Sequence, residues 1–297
     1  MPHAERPSFD LLDPAFYQDG DGMHAAFSWM RANEPVYRDH GNALVAVTRH
    51  GDLQDVERRS SVFASDHAYR AVPAADEINM IAQDDPRHRQ QRMLVQGELT
   101  GAAIGRRRPE IETLTTELID ALAKQDSVEV VEALSGQLPA RLTCRLLGYP
   151  ESMWPQVKSW SERLMRTDMR DRDEQVMRDF IEANTEFVQA LMPLARERVG
   201  CPAHDLIGAW VNATIDGEPL PPAAIVHEVG LFISGGAETT PHGDQSRPAC
   251  VRRPPGTVGG DGRRPVTRGG SRGGGVALGD AVEQHVPAGG ERRPDRW

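Results

Sequence analysis

The chain has 297 residues, a formal net charge of -10 and three cysteines. An acidic balance argues against nucleic acid as the main partner, because a phosphate-binding surface needs a basic footprint, so no nucleic acid is expected. No apolar run approaches the roughly 20 residues of a membrane span, the N-terminal MPHAERPSFDLLDP lacks a signal-peptide core, and Cys144, Cys201 and Cys250 are too far apart for a disulfide framework or a CxxC metal pair, which makes a reducing, cytoplasmic location the default.

In chain order, residues 23–33 (MHAAFSWMRAN) place apolar groups at helical spacing, and Glu34-Pro35 stops the helix. Val36-Tyr37 and residues 44–47 (LVAV) read as two strands around the turn Asp39-His40-Gly41-Asn42. Gly51-Asp52 opens a short helix, and Asp85-Pro86 starts another with proline in the first turn, where its missing N–H costs little. Ile111, Leu114, Leu118, Ile119 and Leu122 give residues 109–124 one apolar face. Residues 138–148 form a helix ended by Gly148, and residues 152–169 and 173–198 are two more. Residues 222–240 are apolar nearly all round, as in a buried helix. The predicted fold class is mainly α with a small β-sheet.

Composition changes near residue 240. Residues 241–297 hold 13 Gly, 10 Arg and 7 Pro, and no Lys, Ile, Phe, Tyr or Met. Such a segment buries too little apolar surface to offset chain entropy and is expected to be a disordered tail. Its ten Arg against six Asp plus Glu give +4, which leaves -14 on residues 1–240. Two units are therefore expected, a globular domain over 1–240 and an aberrant Gly/Arg/Pro-rich tail over 241–297.

The stretch Gly235-Gly236-Ala237-Glu238-Thr239-Thr240 asks for an explanation. Each glycine inside a helix costs about 1 kcal/mol relative to alanine. A buried acid beside hydroxyls is expensive unless paired. One account is that Gly235 and Gly236 let a flat cofactor approach the backbone and let the helix loosen, with Thr239 donating a hydrogen bond to dioxygen and Glu238 relaying protons. The other is a helix crossing at glycine, with the threonines bonding back to the preceding turn. A second pattern lies upstream. His88 and Arg92 are four apart, so they share a helix face, and two donors there suit a pair of carboxylates. The bland alternative is a solvated helix start.

Together these patterns resemble the cytochrome P450 family. Gly235, Gly236, Glu238 and Thr239 match its Ala/Gly-Gly-x-Asp/Glu-Thr helix, with Ala237 in the variable place. Asp84, Pro86, His88 and Arg92 match its Asp-x-Pro-x-His-x-x-x-Arg helix, and LPARLTCRLLGYP (138–150) is similar to its Leu-Pro-x-x-x-Ile-x-x-Leu-Leu-Gly-Val-Pro turn. The resemblance covers nearly all of residues 8–240 and implies an incomplete cytochrome P450 fold. It also implies a heme whose propionates His88 and Arg92 would hold, with Thr239 as the oxygen-activating alcohol and Glu238 as its acidic neighbour. The implied activity is a monooxygenase that hydroxylates a small apolar substrate with electrons from a ferredoxin-type donor. Trp29-Met30-Arg31 and residues 81–86 (IAQDDP) are similar to actinobacterial P450s that oxidise steroid side chains. The loop over the substrate would be residues 66–80, with Tyr69, Val72, Ile78 and Met80 as apolar contacts or as ordinary loop packing. Arg106-Arg107-Arg108 could dock an acidic ferredoxin or form a solvated cluster.

The family's axial thiolate comes from a Phe-x-x-Gly-x-x-x-Cys-x-Gly loop, and Cys144, Cys201 and Cys250 all lie outside such a sequence. The preceding Glu-x-x-Arg helix is also missing. A chain without that loop is expected to be inactive, which leaves two rivals, a non-catalytic truncated fragment and an unrelated helical small-molecule binding protein. The tail suggests a frameshift. Back-translated with freely chosen codons and read one nucleotide later, it permits a continuation of the glycine helix followed by EEVWR, a Glu-x-x-Arg match. Sequencing the DNA that encodes residues 240–242 is expected to show a single-nucleotide insertion or deletion whose correction opens a downstream P450 frame; a locus without one contradicts the expectation.

Overall fold

The computed structural model describes residues 7–66, 77–124, 129–165, 174–201 and 204–237. The chain opens with a short helix α1 (Pro14–Gln18) and then α2 (Gly20–Asn33), capped by the Asp19 carboxylate, which accepts from the Gly22 N–H. Strands β1 (Val36–Asp39) and β2 (Leu44–Val47) pair antiparallel, with Val36 opposite Val47 and Asp39 opposite Leu44. Their turn is closed by the Asp39 carboxylate, which accepts from Asn42 and from the Leu11 N–H. Leu11, Met30 and Tyr37 form a small apolar cluster of their own here. Helix α3 (His50–Arg58) follows.

The larger core is built by helices α4 (Arg87–Gln96), α5 (Gly101–Leu122), α6 (Gln137–Leu147), α7 (Trp154–Met165), α8 (Glu174–Glu197), α9 (Leu206–Val211) and α10 (Pro222–Ala237). Helix α10 packs against α6, α7, α8 and α9, so it is the common wall of this core. Its first turn begins at Pro222, and the Pro221 carbonyl accepts from Ala224 and Ile225. Trp160 of α7 lies between Tyr149 and Phe187, with ring centroids 5.9 and 6.5 Å away. Across the helix, Trp210 of α9 meets Phe232 edge-on at 5.3 Å.

Gly148 ends α6, as its position predicts. It sits at φ +98°, and the Cys144 carbonyl accepts from both Gly148 and Tyr149. An added Cβ would lie 2.4 Å from the Asp205 carboxyl carbon. That carboxylate caps α9 through the Gly208 N–H and pairs with Arg198, whose guanidinium also donates to the Gly148 carbonyl. One arginine thus joins the end of α8, the end of α6 and the start of α9.

The mainly α class holds, and three details differ from expectation. A second antiparallel hairpin, β3 (Thr214–Ile215) with β4 (Glu218–Pro219), turns through Asp216 and Gly217 at positive φ. Helix α5 starts at Gly101 rather than near residue 109, because Thr100 caps it by accepting from the Ala103 N–H. The arginine run is therefore helical, with Pro109 inside the helix. Pro86 stands just before α4 instead of in its first turn. Among the described residues no helix is long and apolar enough to cross a membrane.

Candidate functional site

Helix α4 buries one edge, Gln91 and Val95, and carries His88 half-buried beside it and Arg92 exposed one turn further on. Local capping sets the start of the helix. The Asp84 carbonyl accepts from the His88 N–H, and the Asp85 carboxylate accepts from the Arg89 N–H. Asp84 also accepts from the Ser65 N–H through its side chain, so both acids ahead of Pro86 are used structurally. His88 Nδ1 lies 2.8 Å from the Met80 carbonyl oxygen, and among the described residues its Nε2 has no partner. Arg92 makes no ion pair among them either.

Four side chains, two from α4 and two from α10, reach the segment just before α4. The Ile78 N–H donates to His227 Nδ1 at 3.1 Å, and Gln91 Nε2 donates to the Ile78 carbonyl at 3.0 Å. The Met80 N–H donates to Glu228 Oε1 at 2.8 Å, while His88 takes the Met80 carbonyl. Glu228 is fully buried, its Oε2 has no partner among the described residues, and burial pushes its carboxyl up to about 7 against the pull of the Met80 N–H. The sequence signal for Glu228 is plain once sought: an acid in the apolar run IVHEVGLF needs a buried partner.

The two glycines of α10 do different things. A Cβ on Gly236 would lie 2.5 Å from Thr143 Oγ1 and 3.3 Å from its methyl carbon, so its bareness permits the crossing with α6. A Cβ on Gly235 would meet nothing within 4 Å, and Gly235 is exposed. Both line a cavity of about 420 Å³ whose other walls are Leu99 and residues of α5 and α6, among them Ile104, Ile111, Leu142 and Leu146. At its margin Arg145 bridges Glu110 and Glu151. Neither His88 nor Arg92 lines this cavity, so the cavity does not join the two groups of candidates.

Of the predicted substrate contacts, Met80 is buried in the main core and Ile78 packs half-buried against it. Tyr69, Val72, Glu238, Thr239, Cys250 and the whole segment 241–297 lie outside the described residues. Within the arginine run, Arg107 pairs with Glu98 and Arg108 with Glu112, and among the described residues the exposed Arg106 has no carboxylate partner.

No family model matches the chain. A steroid C26-monooxygenase of Mycolicibacterium smegmatis is 33% identical over 240 residues, 80% of this chain and 58% of the relative. A cyclomarin C epoxidase of Salinispora arenicola is 31% identical over 235 residues, 76% of this chain and 59% of the relative. A Mycobacterium marinum cytochrome P450 solved with pseudoionone superposes with a TM-score of 0.70 at 26% identity, covering 82% of this chain and 64% of that one. The chain belongs to the cytochrome P450 family. It spans under two thirds of the length of these relatives.

A P450 implies heme, a flat macrocycle with two carboxylates and an iron that takes a thiolate. The carboxylate end is fitted by the Arg92 guanidinium, and by His88 when its Nε2 also carries a proton, since neither group has a partner among the described residues. The open side of Gly235 fits a flat group. The described cysteines do not fit the iron. Cys144 is fully buried in α6 and its thiol is pushed up to about 12 by burial, the reverse of a thiolate. Cys201 is exposed, with its thiol against the Glu197 carbonyl at the end of α8.

Glu228 gives this P450 a pH signature. Its folded value of about 7 stands above the ordinary carboxylate 4.5, so the folded chain holds a proton that the unfolded chain releases. That contribution is full below pH 4.5 and is lost as pH rises through 7. The unfolding free energy of the wild type should therefore fall against that of Glu228→Gln by roughly 3 kcal/mol over this window. Chemical denaturation of both proteins from pH 4.5 to 7.5 measures it, and parallel curves would contradict it.

Proposed function

We propose that this chain derives from a P450 monooxygenase that hydroxylates an apolar, steroid-like substrate with dioxygen and electrons from a ferredoxin-type donor. The observation that supports it most is the pair His88 and Arg92 on α4, whose Nε2 and guanidinium have no partner among the described residues, in a chain 33% identical over 240 residues to a protein named for steroid oxidation. Heme, when bound, supplies the activation of dioxygen; the protein orients substrate and manages protons. In this proposal His88 and Arg92 hold the two carboxylates by charge-assisted hydrogen bonds. Gly235 leaves room for the flat ring on α10. Glu238 relays protons toward Thr239, whose hydroxyl donates a hydrogen bond to dioxygen. Ile78 and Met80, with Tyr69 and Val72, shape the apolar side of the substrate site.

A second reading is favoured by the cysteines. Cys144 is sealed in the core, and Cys201 and Cys250 lie in sequence unlike the family's thiolate loop, so we propose that the 297-residue polypeptide itself is non-catalytic. Mixed with hemin, reduced and exposed to carbon monoxide, the full chain should show no red-shifted thiolate Soret band, and its appearance overturns this reading. In the same titration, replacing both His88 and Arg92 by Gln should weaken hemin binding by roughly tenfold or more, as loss of charge-assisted hydrogen bonds implies. Unchanged affinity overturns their assignment.

A further inference from the structure

Residues 78–80 are held like a strap between two helices. The two N–H groups of Ile78 and Met80 are taken by α10, through His227 and Glu228. Their two carbonyls are taken by α4, through Gln91 and His88. Side chains, rather than a β ladder, thus satisfy four backbone groups of a short segment; the two bonds from α4 span 8 and 13 positions of sequence and the two from α10 span 148 and 149.

Hydrogen-bond chemistry then fixes both rings. A carbonyl only accepts, so His88 Nδ1 must carry a proton. A backbone N–H only donates, so His227 Nδ1 must be bare and a neutral His227 is protonated at Nε2. The two histidines of the strap therefore hold opposite tautomers. Neutral His88 presents a bare Nε2, an acceptor, and an acceptor repels a carboxylate.

We propose that Glu228, His227 and Gln91 are positioning residues that fix the strap so that the Met80 carbonyl locks His88 with its proton on Nδ1, and that His88 consequently binds a carboxylate only as the imidazolium. The proposal rests on His88 as a donor to the heme carboxylate and adds its regulation: each binding event takes one proton from solvent onto His88 Nε2, which then donates it to the carboxylate oxygen in a hydrogen bond. Glu228 acts on His88 through one peptide unit, since it holds the N–H side of residue 80 while His88 holds the carbonyl. The titratable or charged groups on the elements meeting here are Arg87, Arg89 and Arg92 of α4, Glu77 ahead of the strap, Asp84 and Asp85 ahead of α4, Asp216 of the second hairpin, which accepts from Gln90 of α4, and His227 and Glu228 of α10. Helix α9, packed against α4, has no titratable side chain, and the turn that follows α4 brings Glu98, which pairs with Arg107.

Nitrogen-15 NMR of the histidine rings in the full-length chain tests this. In their neutral forms, His88 should be protonated at Nδ1 and His227 at Nε2. Glu228→Leu should relax the His88 preference by roughly tenfold, the worth of one net hydrogen bond. Glu228→Gln, which keeps an acceptor for the Met80 N–H, should retain it. Adding zinc protoporphyrin, a diamagnetic dicarboxylate porphyrin, should protonate both nitrogens of His88. A His88 protonated at Nε2 in the porphyrin-free wild type overturns the positioning claim, and that spectrum decides even if Glu228→Leu does not fold. A His88 locked as described, in a chain that binds the porphyrin without protonating the ring, overturns the proton coupling. Locking together with a porphyrin affinity that His88→Gln leaves unchanged removes the heme-carboxylate assignment beneath it and spares the strap.

Discussion

The close passage of α6 over α10 at Gly236 is the contact on which the rest of the core depends. A Cβ there would crowd Thr143, whose hydroxyl oxygen, methyl carbon and Cβ lie 2.5, 3.3 and 3.5 Å from that point and whose β-branched side chain is stiff at χ1. The helices can come this near only because position 236 is bare. Next to this crossing, the Ser161 hydroxyl of α7 donates to the Ser234 carbonyl, so the same turn of α10 is held from a second side. With α10 fixed there, its other end is free to carry a task that packing alone would not favour.

That task is visible at Glu228. Holding an acid in a dry site that shifts it to about 7 costs roughly 3 kcal/mol when it ionises, comparable to what burying one large apolar side chain contributes. A leucine at position 228 would avoid the cost. It would also leave the Met80 N–H unpaired in the core, and with it the connection between α10 and the segment leading into α4. The acid at 228 and the bare positions at 235 and 236 thus divide the helix into a half that grips a strap and a half that meets α6 or stays open.

Much of this was legible from residue patterns. The apolar periodicity of the larger helices, the first hairpin and the Gly148 stop mark elements that the structure contains, α5 with an earlier start than its periodicity gives. Helix α9 and the 214–219 hairpin escaped notice because six and two-residue elements carry too few periods to read, and the tertiary contact of Trp210 with Phe232 stabilises what local propensity does not. The early start of α5 was hidden by its glycines and arginines, which form no apolar stripe, although Thr100 is a good cap. For the site, the pairing of His88 with Arg92 on one helix was legible from spacing alone. The strap was not, because its partners lie about 150 positions apart and backbone carbonyls leave no mark on composition. The glycine pair was read as one feature with two competing explanations; the structure gives helix crossing to Gly236 and open space to Gly235.

The most direct test of this account is a comparison of Gly235→Ala with Gly236→Ala by equilibrium unfolding of the full chain. Ala at 235 enters open space and raises helix propensity, so it should leave stability unchanged or increase it by up to about 1 kcal/mol. Ala at 236 must push α6 away, so it should destabilise by about 1–3 kcal/mol, as overpacking does in a filled core. Equal effects at the two positions, or a destabilisation confined to 235, would contradict the division of labour between the two glycines on which the placement of α10 is built.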